Sequence, residues 1–192
     1  ELVSTAYRKS FFNKCGINLA TVRGGNVIGG GDWARDRLIP DFFRALNAGK
    51  SLQIRSPNAI RPWQHVLEPI SGYLMLAEKL VIDGNNYAEA WNFGPDESNA
   101  RSVSQIIKHL SSSFKGSSWN IENTPQLHEA GLLKIDSSKA KSRLGWIHQW
   151  NLETALNKTI DWYQVWRSRG DLMSITNAQI DAYEKQIKKM II

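Results

Sequence analysis

The sequence predicts an α/β fold, and three observations lead there. Segments patterned as short strands and as helices alternate over the first hundred residues. A glycine- and arginine-rich stretch joins one strand to the next helix. The later segments are shorter and more irregular. The chain has 192 residues, 42% of them hydrophobic, enough for one ordinary domain or a piece of a larger one.

Each element has its own warrant. From Glu1 to Cys15, Val3, Tyr7, Phe11 and Cys15 recur four apart, with Leu2 and Ala6 beside them, which is helical spacing. Gly16 suits a left-handed C-terminal cap. No Ser, Thr, Asp or Asn precedes Leu2, so the helix starts as if in mid-turn, and the expectation is that a longer protein precedes it. The two apolar edges of this helix suggest that one covers a sheet and the other meets a second copy. The run from Ile17 to Val22 reads as a buried strand. The stretch from Arg23 to Pro40 follows, with five glycines, one amide and three arginines. Glycine allows close backbone approach to a ligand, and arginine's planar fork fits phosphate. The same residues would also make a solvated surface turn.

Asp41 to Leu46 reads as a helix closed by Gly49. Ser51 to Arg55 is a short strand, Pro57-Asn58 a turn, and Arg61 to Val66 extended. Pro69 opens a helix through Val81 that Gly84 stops. Ala90 to Gly94 is a strand. Ser102 and Gln105 form a capping box for a helix to about Phe114. Trp119 to Ile121 and Leu132 to Ile135 are short strands. Ser137 or Ser138 starts a small helix ending at Leu144-Gly145, Asn151 caps a longer one, and a tail helix begins near Asn177.

Composition narrows the function classes. A single cysteine, Cys15, excludes an internal disulfide and fits a cytoplasmic protein. No apolar run is long enough for a membrane helix, and the N-terminal residues show no signal-peptide pattern. The net charge of +6 favours an anionic partner. The basic residues are dispersed, and the one cluster, Lys185 to Lys189, lies on a tail helix, so a small phosphorylated ligand fits better than nucleic acid. His65, His109, His128 and His148 lack metal-ligand spacing, and no metal is expected. Walker, nucleophile-elbow and Gly-x-Gly-x-x-Gly patterns are absent.

A resemblance adds to this. Arg23-x-x-Asn26-Val-x-Gly29, Leu38-Ile-Pro40, Arg61-x-Trp63-x-His65-Val66, Asn92-Phe-Gly94, Ser138-Lys-Ala140 and Leu144-Gly-Trp146 follow the order seen in the C-terminal half of the extended short-chain dehydrogenase/reductases that act on sugar nucleotides. Within that family the Gly-Gly-Gly-Asp-Trp and Arg-Pro-Trp-Gln-His blocks are most similar to the CDP-glucose 4,6-dehydratases. The resemblance runs from Glu1 to about Trp166. It implies the C-terminal part of an extended Rossmann-type fold. Residues 1–30 would end the NAD-binding domain, 31–170 would form mainly the substrate-binding domain, and 171–192 would be a helical tail.

The resemblance implies NAD as cofactor, CDP-glucose or a related sugar nucleotide as substrate, a role in deoxysugar biosynthesis, and a homodimer formed through the helix Glu1–Cys15. The family chemistry oxidises C-4 of the sugar, eliminates water across C-5 and C-6, and returns the hydride to C-6. The Tyr-x-x-x-Lys catalytic pair is absent from this sequence and is expected upstream of Glu1. The candidate substrate residues are Asn26, Arg37, Leu38, Arg55, Arg61, Asn92, His128 and Glu129, and Arg23 is the candidate cofactor contact. Each has an alternative. The alternative for Asn26 is a loop-fixing amide, for Arg37 a solvated helix start, for Arg55 a strand edge and for Asn92 a turn. For Arg61 and Arg23 the alternative is an ion pair. His128-Glu129 lacks the aromatic residue that follows such a pair in related dehydratases. Trp33 and Trp63 read as packing residues. Another sugar-nucleotide dehydratase or epimerase, or a non-catalytic binding fragment, also fits these residues.

Overall fold

The structure is a computed structural model that describes residues 1–122 and 131–191, without the side chains of 190 and 191. The first helical stretch runs as α1 (Leu2–Tyr7), a π-helical turn (Arg8–Phe12) and a 3-10 turn (Asn13–Cys15). Gly16 ends it at φ +68°, the left-handed cap that its sequence position suggested. Leu2, Val3, Ala6, Tyr7 and Phe11 are all exposed, and only Arg8 is buried. The expectation that one apolar edge covers a sheet is therefore not met among the described residues. The Arg8 Nε donates to the Leu19 carbonyl at 2.8 Å and holds the helix by a polar contact instead.

The strands assemble in small groups. β1 (Thr21–Gly24) pairs in parallel with β5 (Ala90–Phe93), Arg23 lying beside Asn92. β1 starts four residues later than the apolar run that suggested it. It is also half-exposed, with Val22 facing solvent, because β5 is its one strand neighbour among the described residues. The central group orders β2 (Asn26–Ile28), β4 (Ile60–His65) and β6 (Ala100–Ser102), the first pair parallel and the second antiparallel. The glycine-rich sequence suggests a loop at β2; parallel pairing with β4 supplies the backbone hydrogen bonds that make it a strand. β3 (Leu52–Ile54) pairs in parallel with β7 (Trp119–Ile121). The expected strand from Leu132 to Ile135 is reduced to one bridge, Leu132 to Ile60.

Helices cover these strands. α2 (Leu38–Asn47) begins three residues before the sequence signal, since Pro40 fits the first turn, where its missing N–H costs nothing. α3 (Leu67–Ile82) admits Gly72 because Phe93 lies against it: a Cβ there would come within 2.2 Å of that ring. α4 (Gly84–Tyr87) is a single turn. α5 (Val103–Ser113) starts at Ser102, with the full capping box formed with Gln105. A π-helical turn spans Ala140–Leu144. α6 (Leu152–Arg167) is capped by Asn151, whose side chain accepts the Thr154 N–H at 2.9 Å. α7 (Leu172–Ile191) starts five residues before the predicted Asn177, because Asp171 accepts the Met173 and Ser174 N–H groups and acts as the cap.

Two apolar clusters result. The larger joins α2, α5 and α6 to β2, β3 and β4 around Phe42, Phe43, Ile106, Leu110, Ala155 and Tyr163. The smaller gathers Leu76, Trp91, Phe93, Ala140, Leu144 and Trp146. Between α3 and the C-terminal segment lies the fully buried carboxylate of Glu68. It accepts the Gln149 N–H at 3.0 Å, the Trp150 N–H at 2.7 Å and the Tyr183 hydroxyl at 2.8 Å. Burial raises its pKa, and the three donors partly offset that rise. Glu68→Ala orphans all three donors in a site closed to water. The expected loss is about 3 kcal/mol or more of unfolding free energy, measurable by urea denaturation of the two proteins. Equal midpoints would show that the carboxylate is dispensable.

Candidate functional site

A cavity of about 590 Å³ opens between β2, the loop 29–37, the start of α2, β3 and β4. The fold brings five predicted residues to its wall: Asn26 from β2, Arg37 and Leu38 at the head of α2, Arg55 after β3, and Arg61 from β4. Residues separated by up to 35 positions meet here because β2 and β4 are parallel neighbours, with Asn26 beside Trp63 in register. Arg61 is buried and donates to its own Ile60 carbonyl at 3.0 Å. Arg55 pairs with Asp36 at 2.7 Å, both exposed at the rim.

Four arginines (Arg35, Arg37, Arg55, Arg61) and three aspartates (Asp32, Asp36, Asp41) line the cavity. Asp41 is engaged by Arg44, and Asp36 by Arg55. Arg35 and Arg37 have no carboxylate within ion-pair distance among the described residues, so the wall keeps positive charge suited to an anion. Arg35 and Gln53 also line the cavity and were not singled out from the sequence. Arg35 lies two residues before Arg37 in the same loop; that spacing was the available signal. Gln53 gave none.

The loop itself is fixed from behind. Gly30 sits against Trp162, where any Cβ would fall 2.0 Å from the indole Cγ. Only glycine allows that approach. Asp32 closes a turn by accepting the Ala34 N–H at 2.9 Å. Trp33 packs edge-on to Tyr163 and against Trp166, the packing role its sequence context suggested. Trp63 is likewise buried, its indole N–H donating to the Arg101 carbonyl at 2.9 Å.

Other candidates fall elsewhere. The Arg23 Nε donates to the Asn92 Oδ1 at 2.8 Å, and Asn92 donates on to the Asp136 carbonyl at 3.1 Å. The two form a bridge across β1 and β5, outside the cavity wall. His128 and Glu129 lie outside the described residues. Among the described residues no group of three or more His, Cys, Asp or Glu side chains could hold a metal, and no helix is long and apolar enough to cross a membrane.

His65 ends β4 directly beneath the cavity loop. Its Nδ1 accepts the Leu67 N–H at 3.3 Å, so the ring proton sits on Nε2. That Nε2 is buried without a hydrogen-bond partner among the described residues, close to Gly29. Burial, with Lys158 nearby, lowers its pKa to about 4.

The fold is that of the C-terminal part of the extended short-chain dehydrogenase/reductases, the class of sugar-nucleotide dehydratases and epimerases. It matches a dTDP-glucose 4,6-dehydratase from Streptomyces venezuelae, solved with NAD bound, at a TM-score of 0.68 and 19% identity, covering 88% of this chain and 49% of that one. A UDP-glucuronic acid 4-epimerase from Bacillus cereus, solved with UDP-glucuronic acid and NAD, matches at 0.66 and 20% identity, over 83% and 48%. No family model matches the chain. In sequence it is 43% identical over 189 residues to the CDP-glucose 4,6-dehydratase of Salmonella typhimurium, a match covering 95% of this chain and 53% of that protein. The chain spans about half the length of that curated relative.

The neutral, buried His65 makes stability depend on pH. Its ring binds a proton near 6.5 when unfolded and only near 4 when folded, so unfolding takes up a proton between those values. Its contribution is complete above pH 6.5 and is lost as pH falls to about 4, a span of roughly 3 kcal/mol. Urea midpoints measured from pH 7 to pH 5 should fall less steeply for His65→Gln than for the wild type. Parallel profiles would exclude His65 as the source.

Proposed function

We propose that this chain is the substrate-binding portion of an NAD-dependent CDP-glucose 4,6-dehydratase, a lyase whose complete form converts CDP-D-glucose to CDP-4-keto-6-deoxy-D-glucose. The observation that carries the reading is the arginine-lined cavity, which lies wholly within the segment 43% identical to the Salmonella typhimurium enzyme. Arg61 and Arg37 clamp the diphosphate, Asn26 donates to a phosphate or ribose oxygen, the Leu38 backbone meets the nucleotide, and Arg55 lies toward the base. His128 and Glu129 are retained as substrate contacts of this proposal on the resemblance alone. Asn92 bonds to Arg23 and the Asp136 carbonyl outside the cavity and is left out of the substrate contacts.

NAD does not fit the residues of this chain. Arg23 is the one candidate contact, and its Nε is engaged by Asn92. The 192 residues hold neither Gly-x-x-Gly-x-x-Gly nor Tyr-x-x-x-Lys. No hydride-transfer step is assigned to them. In the proposal, NAD and the catalytic pair belong to the remaining half of the relatives' length. The segments 1–30, 31–170 and 171–192 then serve as the end of the cofactor domain, the main substrate-binding domain and a helical tail.

Titration calorimetry tests the site. The wild-type chain should bind CDP-glucose more tightly than UDP-glucose. Arg37→Ala and Arg61→Ala should each weaken CDP-glucose binding by about 1.5–3 kcal/mol, the scale of a hydrogen bond to a charged group. Unchanged affinity in both variants would assign these arginines to the scaffold.

The same reading includes a homodimer through the helix Glu1–Cys15. Its support is the exposed apolar surface of Leu2, Val3, Tyr7 and Phe11. A two-fold contact sets each of these near its own counterpart. Sedimentation of the wild type should then give a dimer, and Ala6→Glu a monomer. A wild-type monomer, or a variant that stays dimeric, would show that this helix is not the interface.

A further inference from the structure

The loop carrying Arg35 and Arg37 presents three consecutive carbonyls away from the cavity, and each is taken by a helix side chain. The Tyr163 hydroxyl donates to the Asp32 carbonyl at 2.7 Å. The Arg44 guanidinium donates from its two terminal nitrogens to the Trp33 and Ala34 carbonyls, both at 2.8 Å, and also engages the Asp41 carboxylate. Tyr163 is fully buried, and its ring stacks on Phe43 of α2 at 3.7 Å and 13°. One ring thus touches both α2, whose head carries Arg37, and the loop that leads to it. Neither Tyr163 nor Arg44 lines the cavity.

We infer that Tyr163 is a positioning residue for Arg37: its hydroxyl fixes the Asp32 carbonyl, and with Arg44 it holds the loop so that Arg37 faces an anionic ligand. This rests on the cavity being a nucleotide-sugar site. The physical reason is preorganisation. Arginine side chains on an unanchored loop would lose conformational freedom on binding, and a loop fixed in advance removes part of that cost. Tyr163 is suited to the task because burial, with the nearby Asp32 carboxylate, pushes its hydroxyl pKa upward, so the group remains a donor at every ordinary pH.

The test is a binding cycle with CDP-glucose as the calorimetric probe. Tyr163→Phe keeps the stack on Phe43 and removes only the hydroxyl. Its CDP-glucose affinity should fall roughly tenfold, on the scale of one hydrogen bond, with the circular dichroism spectrum retained. In an Arg37→Ala background the same change should cost less than about twofold, because the arginine through which it acts is gone. A purely structural role would give the same cost in both backgrounds, and that result overturns the inference, as does an unchanged affinity for Tyr163→Phe. Should Tyr163→Phe not fold, Arg44→Gln removes the other two loop bonds and must show the same dependence on Arg37. A folded wild type that binds no CDP-glucose removes the site reading, and this inference falls with it. A wild type that binds, with no coupling to Arg37, removes this inference alone.

Discussion

A carboxylate without water must be met by donors, and Glu68 sets that constraint for this chain. It sits in the first turn of α3 and takes its donors from Gln149, Trp150 and Tyr183, about eighty and more than a hundred residues away. Those bonds place the segment before α6 and one face of α7 in a single step. Trp146 adds to the fixing by donating its indole N–H to the Glu68 carbonyl at 3.2 Å. Once Trp150 is placed, Asn151 can cap α6, and the direction of α6 is set. That direction brings Trp162 against Gly30 and Tyr163 against Asp32. A buried acid on one side of the molecule thus determines where a loop on the other side stands.

The cavity shows the opposite use of charge. Its arginines outnumber its aspartates by one, and the pairings are uneven. Arg55 and Asp36 meet at the exposed rim, where an ion pair contributes little to stability, at most about 1 kcal/mol. Asp36 adopts φ +59°, a conformation an aspartate tolerates at small cost, so the turn that carries it to Arg55 needs no glycine. Neutralising Arg55 while leaving Arg35 and Arg37, both also exposed, without a carboxylate confines the uncompensated positive charge to the 35–37 stretch of the wall. A bound diphosphate would be met there by groups that need give up no existing partner.

Much of this was legible in the sequence because local rules act over a few residues. The Ser102 capping box, the Asn151 cap and the left-handed Gly16 each follow from side chains within four positions. Asn26, Arg37, Arg55 and Arg61 came from the family resemblance rather than from a local rule, and the fold gathers them. What was illegible depends on distant partners. β2 becomes a strand only beside β4, and Leu132 to Ile135 stays irregular because only Leu132 finds a bridge. The capping signal of Asp171 was present and outweighed by the apolar spacing that begins later in the tail. The expected cover for the first helix fails for a related reason: helical periodicity shows that an apolar face exists and says nothing of what meets it.

The least legible distinction is between an arginine that binds and an arginine that holds. Arg23, Arg35, Arg37 and Arg44 flank the same glycine loop and carry the same charge. The structure separates them by where their donors go. Arg23 bonds across two strands to Asn92, and Arg44 bonds backward to two loop carbonyls and an aspartate. Each has satisfied much of its hydrogen-bonding capacity within the fold, so a ligand would have to displace existing bonds to use it. Arg35 and Arg37 face the cavity with theirs available. Partition of this kind arises when a loop must present cations to an anion: the carbonyls turned away need donors of their own, and helix side chains such as Arg44 and Tyr163 provide them. The cavity arginines and their supports are therefore one construction, and residue type alone does not tell the two apart.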